Sequence, residues 1–332
     1  MSKGSVVVVT GGSAGVGRAA AVAFARTGAD VALLARGAER LDAARREIEA
    51  LGVRCLAVAV DVADAEAVDR AAGEIETTLG PIDVWVNNAM TSVFGPVHQL
   101  TAEEVRRITE VSYLGSVNGI LAALARMRPR DSGSIVQVGS ALAYRAIPLQ
   151  AGYCGAKFAI RGFVDSLRCE LRHESSKIAL TTVHLPALNT PQFEWVRTRL
   201  PRHPQPVPPI YQPEVAARAI VWAASHRRRE LWVGAPTIAT IAATKLAPGL
   251  LDRYLARTAF DAQQTDEPVE HDRVDNLYEP APGHQGAHGE FDDEAHGRSL
   301  VLEASLHRRL LVGIGSVSGL GGALALACRK RR

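Results

Sequence analysis

Lysine is scarce in this chain of 332 residues, with five against 33 arginines. Cysteine is scarcer still. Cys55, Cys154, Cys169 and Cys328 fall at neither metal-ligand nor disulfide-framework spacings, which argues against a zinc module or a stapled secreted scaffold and favours a reducing compartment. Aromatic residues make up 5% of the chain, with four tryptophans and a net charge of +3, so the basic, ring-studded footprint of a nucleic-acid binder is missing. No repeat of solenoid period is present. The run Val6–Val9 is too short for a secretory leader and lacks a cleavage region, so it opens a strand instead.

What is present suits a soluble enzyme. The chain is 47% hydrophobic and 22% charged, enough for a substantial core in one large domain plus an extension. Short β-branched runs alternate with helical periodicity. They predict strands near 5–10, 30–35, 54–60, 83–87, 133–139, 178–185 and 230–234, and hence an α/β doubly wound parallel sheet. The first strand leads into "TGGSAGVG" and an alanine-rich helix. Gly11, Gly15 and Gly17 let the backbone approach a pyrophosphate at the helix N-terminus, where free N–H groups and the helix dipole favour an anion.

One of the rare lysines sits in "YCGAKFAI". Tyr153 and Lys157 are four apart in a helical pattern, so they share a face. An ammonium beside a phenol favours the phenolate, lowering a pKa that starts near ~10 toward acid/base work at neutral pH. Chance yields such a pair ~0.09 times in a chain of this composition, and a serine thirteen residues earlier, Ser140, lowers the figure to ~0.005. Ser140 follows the run "GSIVQVGS", at the carboxyl end of a strand where parallel sheets bind ligands.

Together these residues resemble the short-chain dehydrogenase/reductase family in its compact single-domain branch, over about residues 4 to 235. The turn Thr10, Gly11, Ser13, Gly15, Val16, Gly17 matches its glycine motif, and Asp61-Val62 its adenine-contacting pair. Asn87, Asn88 and Ala89 match the fourth-strand motif, and Ser140, Tyr153 and Lys157 the catalytic set. The resemblance implies a Rossmann fold and carbonyl–alcohol interconversion. Tyr153 would be the general acid/base, Ser140 would orient the substrate oxygen, and Lys157 would lower the tyrosine pKa while holding the nicotinamide ribose. It also makes a dimer or tetramer plausible.

Three positions depart from the family. Ser112 replaces the asparagine that maintains a proton-relay water, and Met90 replaces a glycine at the cofactor or substrate mouth, unless it merely packs. Pro186-Ala187 replaces a Pro-Gly, with Thr190 following as a possible carboxamide contact. After the second strand stands Arg36, where an acid would select NAD and an arginine accommodates the 2′-phosphate of NADP. The expected cofactor is therefore NADP (NADPH). Arg18 and Arg40 would add positive potential, although for Arg40 a solvated helix charge is the simpler reading.

Residues 1–255 are expected to form the catalytic domain, with the proline-rich stretch 201–213 too restricted for a helix. That stretch lies in the family's substrate lid, where Phe193, Trp195 and Tyr211 would line an apolar pocket. The following "IATIAATKLAPGLL" reads as one buried or interfacial helix. The substrate is then a lipophilic carbonyl or alcohol. A cofactor-binding sensor or scaffold without turnover is the alternative, which Ser140 and Tyr153 argue against; nucleotide-sugar epimerase or dehydratase chemistry lacks a diphosphate-binding cluster. Residues 256–305 are acidic and rich in Gly and Pro, predicting an extended, partly disordered linker whose histidines, His271, His284, His288 and His296, have no metal spacing.

Residues 306–332 form an apolar tail. Leu310–Cys328 is 19 residues without a charge, a helix of roughly 28 Å against a hydrocarbon core of ~30 Å. Arg308 and Arg309 precede it, and Arg329, Lys330, Arg331 and Arg332 follow, placed to snorkel to both interfaces. Gly315 and Gly319 would let two such helices approach. A cytoplasmic enzyme held on a membrane by its C-terminus is the expectation.

Overall fold

The computed structural model describes residues 3–270, 272–283 and 286–307. Seven strands form one parallel sheet: β1 Val6–Thr10, β2 Asp30–Ala35, β3 Cys55–Ala59, β4 Ile82–Asn87, β5 Ser134–Ser140, β6 Ala179–Leu185 and β7 Glu230–Trp232. Every expected strand is found to within two residues. The order is β7-β6-β5-β4-β1-β2-β3. The winding reverses between β1 and β4, which opens a crevice at the carboxyl ends of those strands.

The helices are α1 Gly15–Ala25, α2 Ala38–Glu49, α3 Ala65–Thr78, α4 Ala102–Thr109, α5 Gly115–Met127, α6 Ala151–His173, α7 Gln192–Trp195, α8 Pro213–Ser225, α9 Ala235–Leu246, α10 Pro248–Thr258 and α11 Leu300–Leu306. Successive strand residues point to opposite faces, so one apolar run serves two cores. Val7 and Val9 of β1 pack with Phe24, Ile48 and Ile220 from α1, α2 and α8. Val6 and Val8 pack with Ile75, Ile120 and Val164 from α3, α5 and α6. All four valines are at most 2% exposed, which explains why β1 reads as a continuous rather than alternating apolar segment. The stretch Ala102–Arg130 is apolar and long enough to cross a membrane, yet more than half of its most apolar window is buried within the domain, as in a core helix.

Two expectations change. The run after β7 is not one helix, because Pro248 starts a second one, and α9 and α10 form a surface hairpin with only Thr237 and Ile241 buried. The stretch beyond residue 256, expected to be partly disordered, instead folds back onto the domain. Gln264–Pro268 pairs antiparallel with Arg202–Pro204. Leu277 is fully buried, Phe291 packs on Phe193 at 6.0 Å, and Leu302 of α11 joins the core on the β1–α1 side. Its few apolar residues are anchors spaced along a polar segment, a pattern that composition averages away. The apolar run Leu310–Cys328, with its flanking arginines, lies outside the described residues, as do His271, His284 and Cys328.

Candidate active site

The glycine turn is as tight as its sequence requires. A Cβ on Gly17 would lie 2.1 Å from the Gly11 carbonyl oxygen, so no other residue fits without moving the backbone. Gly11 adopts φ +65° and Gly15 φ +54°, the left-handed region that glycine tolerates. Behind the turn, the Thr10 hydroxyl accepts the N–H groups of Asn88 and Ala89 at 2.9 and 3.1 Å, and Asn88 Nδ2 donates to the Thr10 carbonyl at 3.0 Å. These bonds tie the end of β1 to the end of β4. Thr10 and Gly17 thus shape the crevice from behind, while Gly11, Ser13, Gly15, Val16, Arg36, Asp61, Val62, Asn88, Ala89 and Thr190 line it. The first turn of α1 has no side-chain cap and no acidic residue, leaving it suited to an anion.

Ser140, Tyr153 and Lys157 come together in an adjoining cavity of about 360 Å³. The end of β5 supplies Ser140, and one face of α6 supplies the other two. The Ser140 and Tyr153 side chains lie beside each other there, and the Ser140 hydroxyl accepts the Leu142 N–H at 3.1 Å. Lys157 is 2% exposed; its ammonium lies 5.4 Å from the centre of the Tyr153 ring and donates to the Val138 carbonyl at 3.1 Å. One bond leaves further ammonium donors for a ligand. Val16, Asn88, Met90, Thr190 and Gln192 line both cavities, so the two abut. Met90 stands at this junction, which decides between its two readings.

Burial dominates the electrostatics of both groups. It pushes the Tyr153 phenol up, with the Ser140 hydroxyl offsetting only part of that, and it brings Lys157 down to about 8. Behind Ser140, His184 bonds through Nδ1 to the Ser140 carbonyl at 3.2 Å, and burial keeps the imidazole neutral despite Glu230 nearby.

Ser112 does not line the cavity that holds Ser140, Tyr153 and Lys157. It lies in a π-helical turn, Glu110–Leu114, fully buried, where its hydroxyl accepts from the Thr91 N–H at 2.9 Å and donates to the Thr91 carbonyl at 2.8 Å. Its contacts hold the loop that follows β4. Phe193 lines the cavity of Ser140, Tyr153 and Lys157, whereas Trp195 lines the crevice at the glycine turn and Tyr211 is buried beside Leu188 and His296. Phe94, Leu142, Ile147, Val207 and Leu255 give the cavity much apolar lining, with Arg145, Gln150 and Gln205 among its polar residues.

Sequence reasoning missed several residues. Arg40 is not a solvated charge: it is 7% exposed, with its guanidinium 4.5 Å from the centre of the Trp195 ring. Arg107 pairs with Asp61, whose carboxyl stays below its usual range because this ion pair and the Ala63 N–H outweigh burial. Arg36 donates to the carbonyls of Asn276 and Tyr278, both at 2.5 Å. The Gly15 N–H donates to the Gly286 carbonyl at 3.1 Å. No sequence signal marks these backbone partners. Among the described residues, no cluster of His, Cys, Asp and Glu is arranged to hold a metal; His288 instead bridges Glu214 and Asp292.

A family model described as short chain dehydrogenase matches residues 5–200. An uncharacterized oxidoreductase of Bacillus subtilis (strain 168), YxnA, is 32% identical over 330 residues, 98% of this chain and 92% of its own length. The 3-dehydrosphinganine reductase of Danio rerio is 31% identical over 226 residues, 66% of this chain and 68% of its own. Among solved structures, an alcohol dehydrogenase from the archaeon Thermococcus sibiricus complexed with 5-hydroxy-NADP is similar with a TM-score of 0.59 and 28% identity, over 69% of this chain and 95% of that one. A short chain dehydrogenase from Mycobacterium paratuberculosis bound to NAD shares the fold, with a TM-score of 0.60 and 23% identity, over 69% and 96% of the two chains.

Proposed function

We propose that this chain, which belongs to the short-chain dehydrogenase/reductase family, interconverts a carbonyl and an alcohol on a lipophilic substrate, with NADP(H) as its cofactor. The observation that carries the reading is the gathering of Ser140, Tyr153 and buried Lys157 in one cavity of mainly apolar lining. A nicotinamide dinucleotide supplies the hydride when bound; the chain itself handles the proton and the orientation. Ser140 holds the substrate oxygen. Tyr153 donates its proton to that oxygen in reduction, and its raised pKa keeps the proton in place at neutral pH. The remaining Lys157 donors fit ribose hydroxyls, and the glycine turn with the α1 N-terminus fits the pyrophosphate.

Support for NADP comes from Arg36 and Arg40 at the far end of the crevice, and from the likeness to an NADP-analogue complex. Support for a lipophilic substrate comes from the cavity wall and from the likeness to 3-dehydrosphinganine reductase. The uncharged run Leu310–Cys328 supports attachment of the enzyme to a membrane, and the family resemblance supports a homo-oligomer.

The test is NADPH oxidation, followed by absorbance, against a panel of lipophilic ketones, with the reverse reaction on the matching alcohols. Turnover of at least one pair that disappears in Tyr153→Phe supports the reading. Binding of NADPH with no turnover of any panel member favours a sensor or scaffold.

A further inference from the structure

We propose that the segment Asn276–Pro280 helps to set cofactor preference by competing with a ribose 2′-phosphate for the Arg36 guanidinium. The inference rests on the reading of Arg36 as the 2′-phosphate partner. Arg36 stands at the carboxyl end of β2, where the adenosine ribose of a bound dinucleotide lies. Its two terminal nitrogens are both engaged: Nη2 donates to the Asn276 carbonyl at 2.5 Å, and Nη1 donates to the Tyr278 carbonyl at 2.5 Å and the Leu277 carbonyl at 3.4 Å. Asn276 and Pro280 themselves line the crevice. This segment lies well beyond residue 200, where the family match ends.

A phosphate takes two parallel donors from a guanidinium. Here carbonyl oxygens, partial negative charges, take three of the five guanidinium N–H bonds and crowd both terminal nitrogens, so they repel a 2′-phosphate on Arg36, which binds better once the segment moves away. A 2′-hydroxyl differs because it is itself a donor, and a carbonyl retains a second lone pair for it. The closed segment thus tolerates NAD(H) and penalises NADP(H).

Five contacts hold the segment closed. Leu277, fully buried, packs with Val93, Ile108 and Ala156. The Asp275 carboxylate accepts the Leu277 N–H at 3.0 Å and Arg197 Nε at 2.8 Å. The Asn276 N–H donates to the Trp195 carbonyl at 3.0 Å, and Arg107 Nε donates to the Leu277 carbonyl at 3.1 Å. Asp275 and Leu277 are not among the residues lining the crevice, so they are positioning residues that act through the segment. The nearby Gly15–Gly286 bond lies at the N-terminus of α1, which would hold the pyrophosphate that both dinucleotides share, so it would not discriminate between them.

If only the open state accepts a 2′-phosphate, the apparent NADPH affinity is reduced by the fraction open, and loosening the segment restores it. Dissociation constants for NADPH and NADH are to be measured on the full-length protein and on its Asp275→Ala and Leu277→Ala variants. The expected result is a rise of threefold or more in the NADPH-to-NADH affinity ratio. Asp275→Ala leaves no core cavity and keeps the test open if Leu277→Ala fails to fold. An unchanged or lower ratio overturns the proposal. In the unaltered protein, saturating NADPH should speed hydrogen exchange at the amides of Asn276 and Leu277 more than NADH does; slower exchange with NADPH would mean that the segment closes over the phosphate, which also overturns it. Native cofactor use is judged separately, from turnover by the unaltered protein. A protein that prefers NADH yet gains NADPH affinity in the variants would sustain the competition and refute the NADP reading.

Discussion

The Lys157 ammonium donates to the Val138 carbonyl at 3.1 Å, anchoring α6 to β5 one turn of helix beyond the tyrosine it was expected to activate. A charge at 2% exposure with one described partner is costly, which is why burial lowers its pKa from 10.5 to about 8. Between those two values the unfolded chain holds a proton that the folded chain has shed, so this group makes stability rise with pH. The Lys157→Met variant has nothing to titrate there. Denaturation of both proteins from pH 7.5 to 10 should show the unaltered protein gaining on the variant as pH rises; Tyr153 titrates in both and largely cancels. A constant difference would mean that the lysine is not perturbed.

Tyr153→Phe should lower turnover by roughly 10²- to 10⁴-fold, the usual share of general acid–base catalysis. NADPH binding should stay within about twofold, because the hydroxyl serves the reacting oxygen. Single-turnover kinetics beside a binding titration separate the two. Retention of more than a few per cent of activity would remove Tyr153 from the acid role.

Arg36→Asp sets a carboxylate against the 2′-phosphate. Repulsion discriminates more sharply than lost attraction, so the NADPH-to-NADH preference in kcat/KM should fall at least tenfold. Unchanged preference would take Arg36 out of the cofactor site.

Ser112→Ala tests whether that serine supports the fold or the chemistry. The substitution strands the Thr91 N–H and carbonyl, whose residue is 2% exposed, at a cost of about 1–3 kcal/mol. The thermal midpoint should drop by several degrees, with kcat little altered at a temperature where the variant is folded. A large fall in kcat without loss of stability would restore the relay role.

The tail is tested by fractionation of the full chain beside one ending at His307. Full-length protein in the membrane fraction, with the shorter chain soluble and active, is the expected outcome. Full-length protein that stays soluble without detergent would reject the anchor.

Most of the dinucleotide crevice was legible because its constraints are local. Gly17 is glycine because a neighbouring carbonyl leaves no room for a side chain, and Tyr153 and Lys157 share a face because four residues make about one helical turn. Ser112 was harder to place because its π-helical turn shifts the helical register between α4 and α5. Sequence periodicity, which assumes regular turns, gives no sign of where that hydroxyl points. The pKa values of Lys157 and Tyr153 were not legible for a different reason: spacing brings the two groups close, but their values follow largely from the solvent lost around each.

The seven strands, the glycine turn and the shared face of Tyr153 and Lys157 were legible in the residues alone, since each follows from contacts within a few positions or from the two-sided burial of a parallel strand. Where the chain beyond residue 256 lies was settled by long-range packing. Its contacts with Arg36 and Gly15 are made by main-chain carbonyls far along the chain. Every residue type carries a carbonyl, so no choice of side chain announces such a bond. Its position follows instead from a few spaced anchors, Leu277, Phe291 and Leu302, finding apolar sites that exist only once the sheet has formed.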